Sequence, residues 1–168
     1  MATIITNVNL LKLNEPTITG RIYSTEAGQA ILNQWMFRHK LHGTIFGELD
    51  RSIEEGYDTS LSLVSHVVEN VRIEGNNMIG DIKILSTYCG KILKALIDKD
   101  TIAIMRERKI NSILDDIKYI APSLEEFGLR AALRAAGHID ENNMVYIKKF
   151  FTFDVCTTNY GEMLLKNE

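Results

Sequence analysis

Two periods of hydrophobicity divide this chain into segments. Residues 3 to 13, with Ile4, Ile5, Val8, Leu10, Leu11 and Leu13, predict a strand that Asn14-Glu15-Pro16 breaks. Ser24 or Thr25 then stands where a helix cap is needed, and Glu26 and Gln29 suit the exposed N–H groups of a first turn. Ala27, Ala30, Ile31, Gln34, Trp35 and Phe37 follow helical spacing, so one face of that helix packs on a sheet before it runs out near Leu41-His42-Gly43. A period of two takes over next. Leu61, Leu63, Val67, Val71 and Ile73 alternate with Ser62, His66, Asn70 and Arg72, predicting a half-buried strand. Glu74-Gly75-Asn76-Asn77 is a hairpin signal, and Met78, Gly80, Ile82 and Ile84 continue the alternation on the return.

Downstream of Gly90, the apolar residues Ile92, Leu93, Leu96 and Ile97 predict an amphipathic helix, followed by a short buried strand over Thr101-Ile102-Ala103-Ile104-Met105. Two more helices are expected over residues 109 to 137. The first carries the stripe Ile110, Ile113, Leu114 and Ile117. The second, over 124 to 136, follows Pro122 and a capping box of Ser123 with Glu126, is rich in Ala and Leu, and has Gly137 as its C-cap. Met144 to Thr158 alternates as a final strand around Val145, Ile147, Phe151, Phe153 and Val155.

At 168 residues and 45% hydrophobic content, the chain is expected to form one domain over 1–168. The formal charge of -3, with both signs interspersed, offers no basic stripe, so no nucleic-acid partner is expected. Cys89 and Cys156 make no disulfide framework or zinc spacing and suit a reducing cytosol. No basic segment leads into an apolar run at the start of the chain, and no long apolar window follows, so neither export nor membrane insertion is expected. Asp50, Glu54, Glu55 and Asp58 fit the spacing of no metal-binding loop, and neither metal nor cofactor is expected.

Several strings carry a resemblance. Gly47-Glu48-Leu49-Asp50-Arg51-Ser52 resembles the Gly-Glu-Leu-(Asp/Asn)-His-Pro string of the prohead maturation proteases of large tailed bacteriophages, with Arg51 at the His position and Ser52 at the Pro position. Gly20-Arg21-Ile22-Tyr23 resembles the string before their first helix. Val64-Ser65-His66 with Gly75-Asn76-Asn77-Met78-Ile79-Gly80 resembles their Ser-His strand and hairpin, and Phe151-Thr152-Phe153-Asp154-Val155 their terminal strand. The matches fall in the family's order. They imply an α+β domain of the phage prohead and herpesvirus protease type, an antiparallel, barrel-like sheet flanked by helices, with the two helices of 109–137 as an insertion.

The resemblance implies a Ser nucleophile, a His base and an acid. The base position falls on Arg51 and the acid on Asp154, while the nucleophile position falls on Arg106 in the preferred register and on Ala132 in the other, where Ala132-Leu133-Arg134-Ala135-Ala136-Gly137 imitates Ser-Ser-Arg-Gly-Leu-Gly. A guanidinium is protonated at any working pH and cannot take a proton, and neither register supplies a hydroxyl. Arg51 and Arg106 are instead expected to pair with Asp154 or Glu48 as a structural ion cluster. Other readings of the chemistry-bearing residues are plainer: His66 as a packed strand residue rather than a rewired base, Cys89 and Cys156 as small buried thiols, Lys91 as a solvated helix charge, and Arg130 with Arg134 as a wet helix face. The expectation is a non-catalytic phage head protein, a decoration, minor capsid or assembly component, located in the virion and in host cytoplasm during assembly. Its partners would be the major capsid protein or other head proteins, with self-association left open. The alternatives are an active maturation serine protease with a rearranged site, cleaving scaffold and capsid precursors, and a regulator of the genuine protease.

Overall fold

A computed structural model describes residues 2–51, 58–98, 110–113, 116–120, 124, 128–157 and 163–166. It is an α+β structure. Among the described residues, ten strands run β1 (Ala2–Lys12), β2 (Ile22–Tyr23), β3 (Phe46–Glu48), β4 (Val64–Glu74), β5 (Asn77–Ile84), β6 (Ile110–Ile113), β7 (Asp116–Ile120), β8 (Arg130–Ile139), β9 (Met144–Cys156) and β10 (Met163–Lys166). The helices α1 (Thr25–His42) and α2 (Tyr88–Asp98) are interspersed among them. One sheet has the order β3-β4-β5-β1-β7-β6 and the other β10-β8-β9-β2. Pairing is mostly antiparallel, with β7 on β1, β10 on β8 and β2 on β9 parallel.

The first half of the chain follows its pattern. Ser24 caps α1 by accepting from the Ala27 amide at 3.1 Å, and the helix stops at Gly43, whose φ of 73° lies in the left-handed region that suits glycine. Ile31 and Trp35 enter the core from the inner face of α1, beside Tyr23, Phe150 and Phe153. The hairpin β4–β5 turns at Gly75-Asn76, and β5 buries Met78, Gly80, Ile82 and Ile84 in strict alternation. The strand expected from Leu61 begins only at Val64, however, and Leu61 and Leu63 are exposed. From Val64 to Val68 every residue is buried, so this stretch is covered on both faces rather than half-buried. Both helices lie against β4, and His66 reaches across to the second sheet.

Two expectations are corrected. Where regular structure is described within 109–137 it is mostly strand, with β6 and β7 in the first sheet and β8 inside the second, and not the two helices expected as an insertion. Ser123 and Glu126 lie outside the described residues. β8 overrides the helical preference of its alanines because it sits between β10 and β9, where Ala132, Leu133, Ala135 and Ala136 are buried and the small side chains let neighbours close in. Gly137 is a point of close approach and not a helix cap: a Cβ there would lie 2.0 Å from the Tyr146 carbonyl oxygen. The barrel-like sheet is realised as two open sheets, and no closed barrel forms among the described residues. The two sheets meet at β3 and β9, where one Leu49–Val155 bridge stands in place of a ladder. Side chains of β9 take the neighbouring backbone groups: the Thr152 hydroxyl donates to the Phe46 carbonyl at 2.7 Å, and the Asp154 carboxylate accepts from the Glu48 amide at 3.0 Å. The short strand expected over 101–105 lies outside the described residues.

Candidate functional site

The junction of the two sheets gathers the residues singled out by their chemistry. β3 ends at Glu48, and the chain then turns through Asp50, which adopts a φ of 49°. That turn is pinned to the end of β9. The Asp50 amide donates to the Val155 carbonyl at 2.8 Å, and the Asp50 carboxylate accepts from the Thr157 amide at 2.7 Å and from the Thr157 hydroxyl. Arg51 is thereby swung inward and is only 8% exposed.

Arg51 donates to Glu48 Oε2. From β8, Arg134 meets Asp154 in a two-point contact, Nε to Oδ2 and Nη2 to Oδ1 at 3.0 Å each, and its Nη2 also lies 2.9 Å from Thr59 Oγ1 and 3.4 Å from Glu48 Oε2. The Ser60 amide adds a bond to Glu48 Oε2 at 3.2 Å. Glu48, Arg134 and Asp154 are all nearly inaccessible to water. Burial pushes the Asp154 carboxyl up from its ordinary range, while the Arg134 guanidinium and the Glu48 amide pull it back down. Among the described residues the cluster pairs two carboxylates with two guanidiniums, and such pairing is what lets buried charges tolerate a dry interior.

Of the expected ion cluster, the pairing of Arg51 with Glu48 is present. Arg106 lies outside the described residues, and Arg134, which was not expected in the cluster, meets both Asp154 and Glu48. Its reading as half of a wet helix face is overturned, since Arg134 is completely buried on a strand. Ala132 stands directly opposite Asp154 in the β8–β9 register and is 5% exposed. The helix expected over 124–136, which would have kept Ala132 off the sheet, does not form among the described residues.

His66 and Ser65 lie next to this cluster and are also inaccessible. His66 Nε2 sits 2.8 Å from the Phe153 carbonyl, which can only accept, so Nε2 carries the proton and Nδ1 accepts from Ser65 Oγ at 2.7 Å. Burial, opposed by the Phe153 hydrogen bond and aided by the Arg134 charge, lowers the His66 pKa to about 4. Gly47 makes this packing feasible. A Cβ at that position would lie 2.2 Å from His66 Nε2 and 2.5 Å from the Phe153 carbonyl oxygen. Cys156 is buried, with its thiol pushed up to about 12 chiefly by desolvation, which removes it as a nucleophile at neutral pH. Cys89 is half-buried at the start of α2, and Lys91 is exposed on it. Asp50 is engaged in the turn, while Glu54 and Glu55 lie outside the described residues. Among the described residues no group of His, Cys, Asp and Glu has a metal-binding arrangement, and no helix is long and apolar enough to cross a membrane.

This arrangement of sheets, helices and connecting loop defines a prohead-protease-like fold. Among solved structures, the bacteriophage T4 capsid assembly protease, gp21, matches with a TM-score of 0.62, covering 88% of this chain and 78% of that chain at 15% sequence identity. No protein-family model matches the sequence, and no curated protein does.

Proposed function

We propose that this chain is a bacteriophage head or head-assembly protein that keeps a prohead-protease scaffold without its proteolysis. The fold likeness to a capsid assembly protease supports the setting. The single observation that carries the loss of chemistry is the buried ion cluster. Arg51, at the position where the resemblance expects a base, is closed onto Glu48, and Asp154 is engaged by Arg134 rather than by an imidazole. Opposite Asp154 stands Ala132, whose methyl group cannot attack a carbonyl. Because the cluster is dry and pairs opposite charges across the junction, it serves as a strut between the two sheets. A role as decoration, minor capsid or assembly component then rests on the surface of the fold, with head proteins as partners and the virion as location.

A second reading has one observation in its favour, the 2.7 Å contact of Ser65 with His66, which has the form of an activated hydroxyl. The burial of both side chains argues against it, as does the use of Nε2 to hold Phe153. A substrate carbonyl has no approach to Ser65. Treatment of the folded protein with a serine-reactive phosphonate, and incubation with capsid precursor, distinguishes the two. The expected result is no labelled serine and no cleavage, both for the wild type and for Arg51→His. Labelling of Ser65, or cleavage that His66→Ala abolishes, overturns the proposal. Stoichiometric copies in purified virions would favour the head-protein role over a regulator of the genuine protease.

A further inference from the structure

The outer face of α1, beside an edge of β9, carries large apolar side chains that are exposed. The inner face of α1 is already filled by Ile31 and Trp35, yet the C-terminal half of the helix leaves Met36, Phe37 and Leu41 exposed by 55%, 65% and 60%. Three large apolar side chains together on one helix mark a contact site more often than scattered single ones do. Their surroundings are basic. No Asp or Glu occurs from Ala27 to Gly47 or from Asn142 to Phe153, whereas Lys40, Lys148 and Lys149 are exposed within those segments. α1 holds the two segments side by side: Gln34 bonds the Lys148 carbonyl at 3.3 Å and the Phe150 amide at 2.7 Å, and Arg38 donates to the carbonyls of Phe150 and Phe151 at 2.9 and 2.6 Å.

The helix macrodipole explains a cation such as Lys40 in the last turn of α1. It explains neither the lysines on β9 nor the exposed apolar side chains. In a chain of net charge -3, two adjoining segments that carry lysines and no acid, around exposed apolar side chains, are complementary to an acidic, amphipathic segment of another protein. Nucleic acid would use the lysines and leave Phe37 and Leu41 in water, so the apolar centre favours a protein partner. We infer that the face made by Met36, Phe37, Lys40, Leu41, Lys148 and Lys149 docks an acidic amphipathic segment of a partner protein. This inference does not rest on the loss of proteolysis.

The test uses the full chain and a labelled synthetic helical peptide with Leu on one face and Glu on the other, followed by fluorescence anisotropy. Binding is expected, weakening with added salt and falling about tenfold or more in Phe37→Ser and in Lys40→Glu/Lys149→Glu, a factor equal to about 1.4 kcal/mol. These positions are exposed, so melting curves should be unchanged; Leu41→Ser stands in if Phe37→Ser melts early. No binding, binding indifferent to these variants, or equal binding of a same-composition peptide with scrambled order, of a DNA duplex, or of phosphatidylglycerol vesicles would overturn the inference.

Discussion

Replacing Arg134 by methionine removes one cation from the sheet junction while keeping much of its volume. Asp154 then loses both of its 3.0 Å contacts to the guanidinium, and Glu48 keeps Arg51 as its charged partner among the described residues. Unit charges about 4 Å apart attract by about 4 kcal/mol at an effective dielectric constant near 20. Breaking one partner of a buried pair costs ~3–5 kcal/mol, because the remaining charge is left in the dry interior. Against a total stability of ~5–15 kcal/mol this is a large fraction. Urea denaturation followed by circular dichroism measures it: with a slope of about 2 kcal/mol per molar, the midpoint should fall by about 2 M with the slope unchanged. The companion substitution Asp154→Leu should be similarly costly alone. The double variant Arg134→Met/Asp154→Leu should recover much of the loss, since two apolar residues replace a matched pair. A cost below ~1 kcal/mol for Arg134→Met is what exposed ion pairs show, and would refute the reasoning that this cluster is a dry, matched strut.

Other expectations follow from neighbouring contacts. His66 has its pKa lowered to about 4, so the unfolded chain binds a proton at this site that the folded one does not between that value and about 6.5. Its contribution is therefore fully present above about pH 6.5 and is lost as pH falls toward 4; urea midpoints across this window should decline with acid, and less steeply in His66→Gln. Gly47→Ala must push a Cβ into His66 Nε2 and the Phe153 carbonyl, and overpacking of about 2–3 kcal/mol should lower the melting temperature by roughly 5–10 °C in calorimetry. Ser24→Ala removes the 3.1 Å bond to the Ala27 amide and should cost ~1 kcal/mol, read as a small drop in the same melt; no shift would mean the cap carries no net stability.

Local chemistry was enough to place α1, the β4–β5 hairpin, α2 and β9, because each is specified by a period, a cap or a turn residue acting over a few neighbours. Ser24, Gly43 and Gly75 do their work within one turn of chain. β8 was not legible in the same way. Its alanines and leucine prefer a helix in isolation, and only the flanking β9 and β10 turn Ala131 to Gly137 into a buried strand. Arg134 followed the same error: placed on a helix it looks solvated, although a lone arginine in an otherwise apolar run is itself a sign that an acid must wait for it in the core. Asp154 in Phe153-Asp154-Val155 is the matching sign on the other strand. The substitution of a base by Arg51 and the presence of Asp154 could be read directly, since they depend on residue identity alone. That Arg51 closes onto Glu48, that Ala132 stands opposite Asp154, and that His66 is a sealed tie between sheets were decided by the tertiary structure. The tie from His66 to Phe153 joins residues 87 positions apart and the Asp154 bond to the Glu48 amide joins residues 106 apart, and no short-range pattern encodes which side chains will share a dry junction.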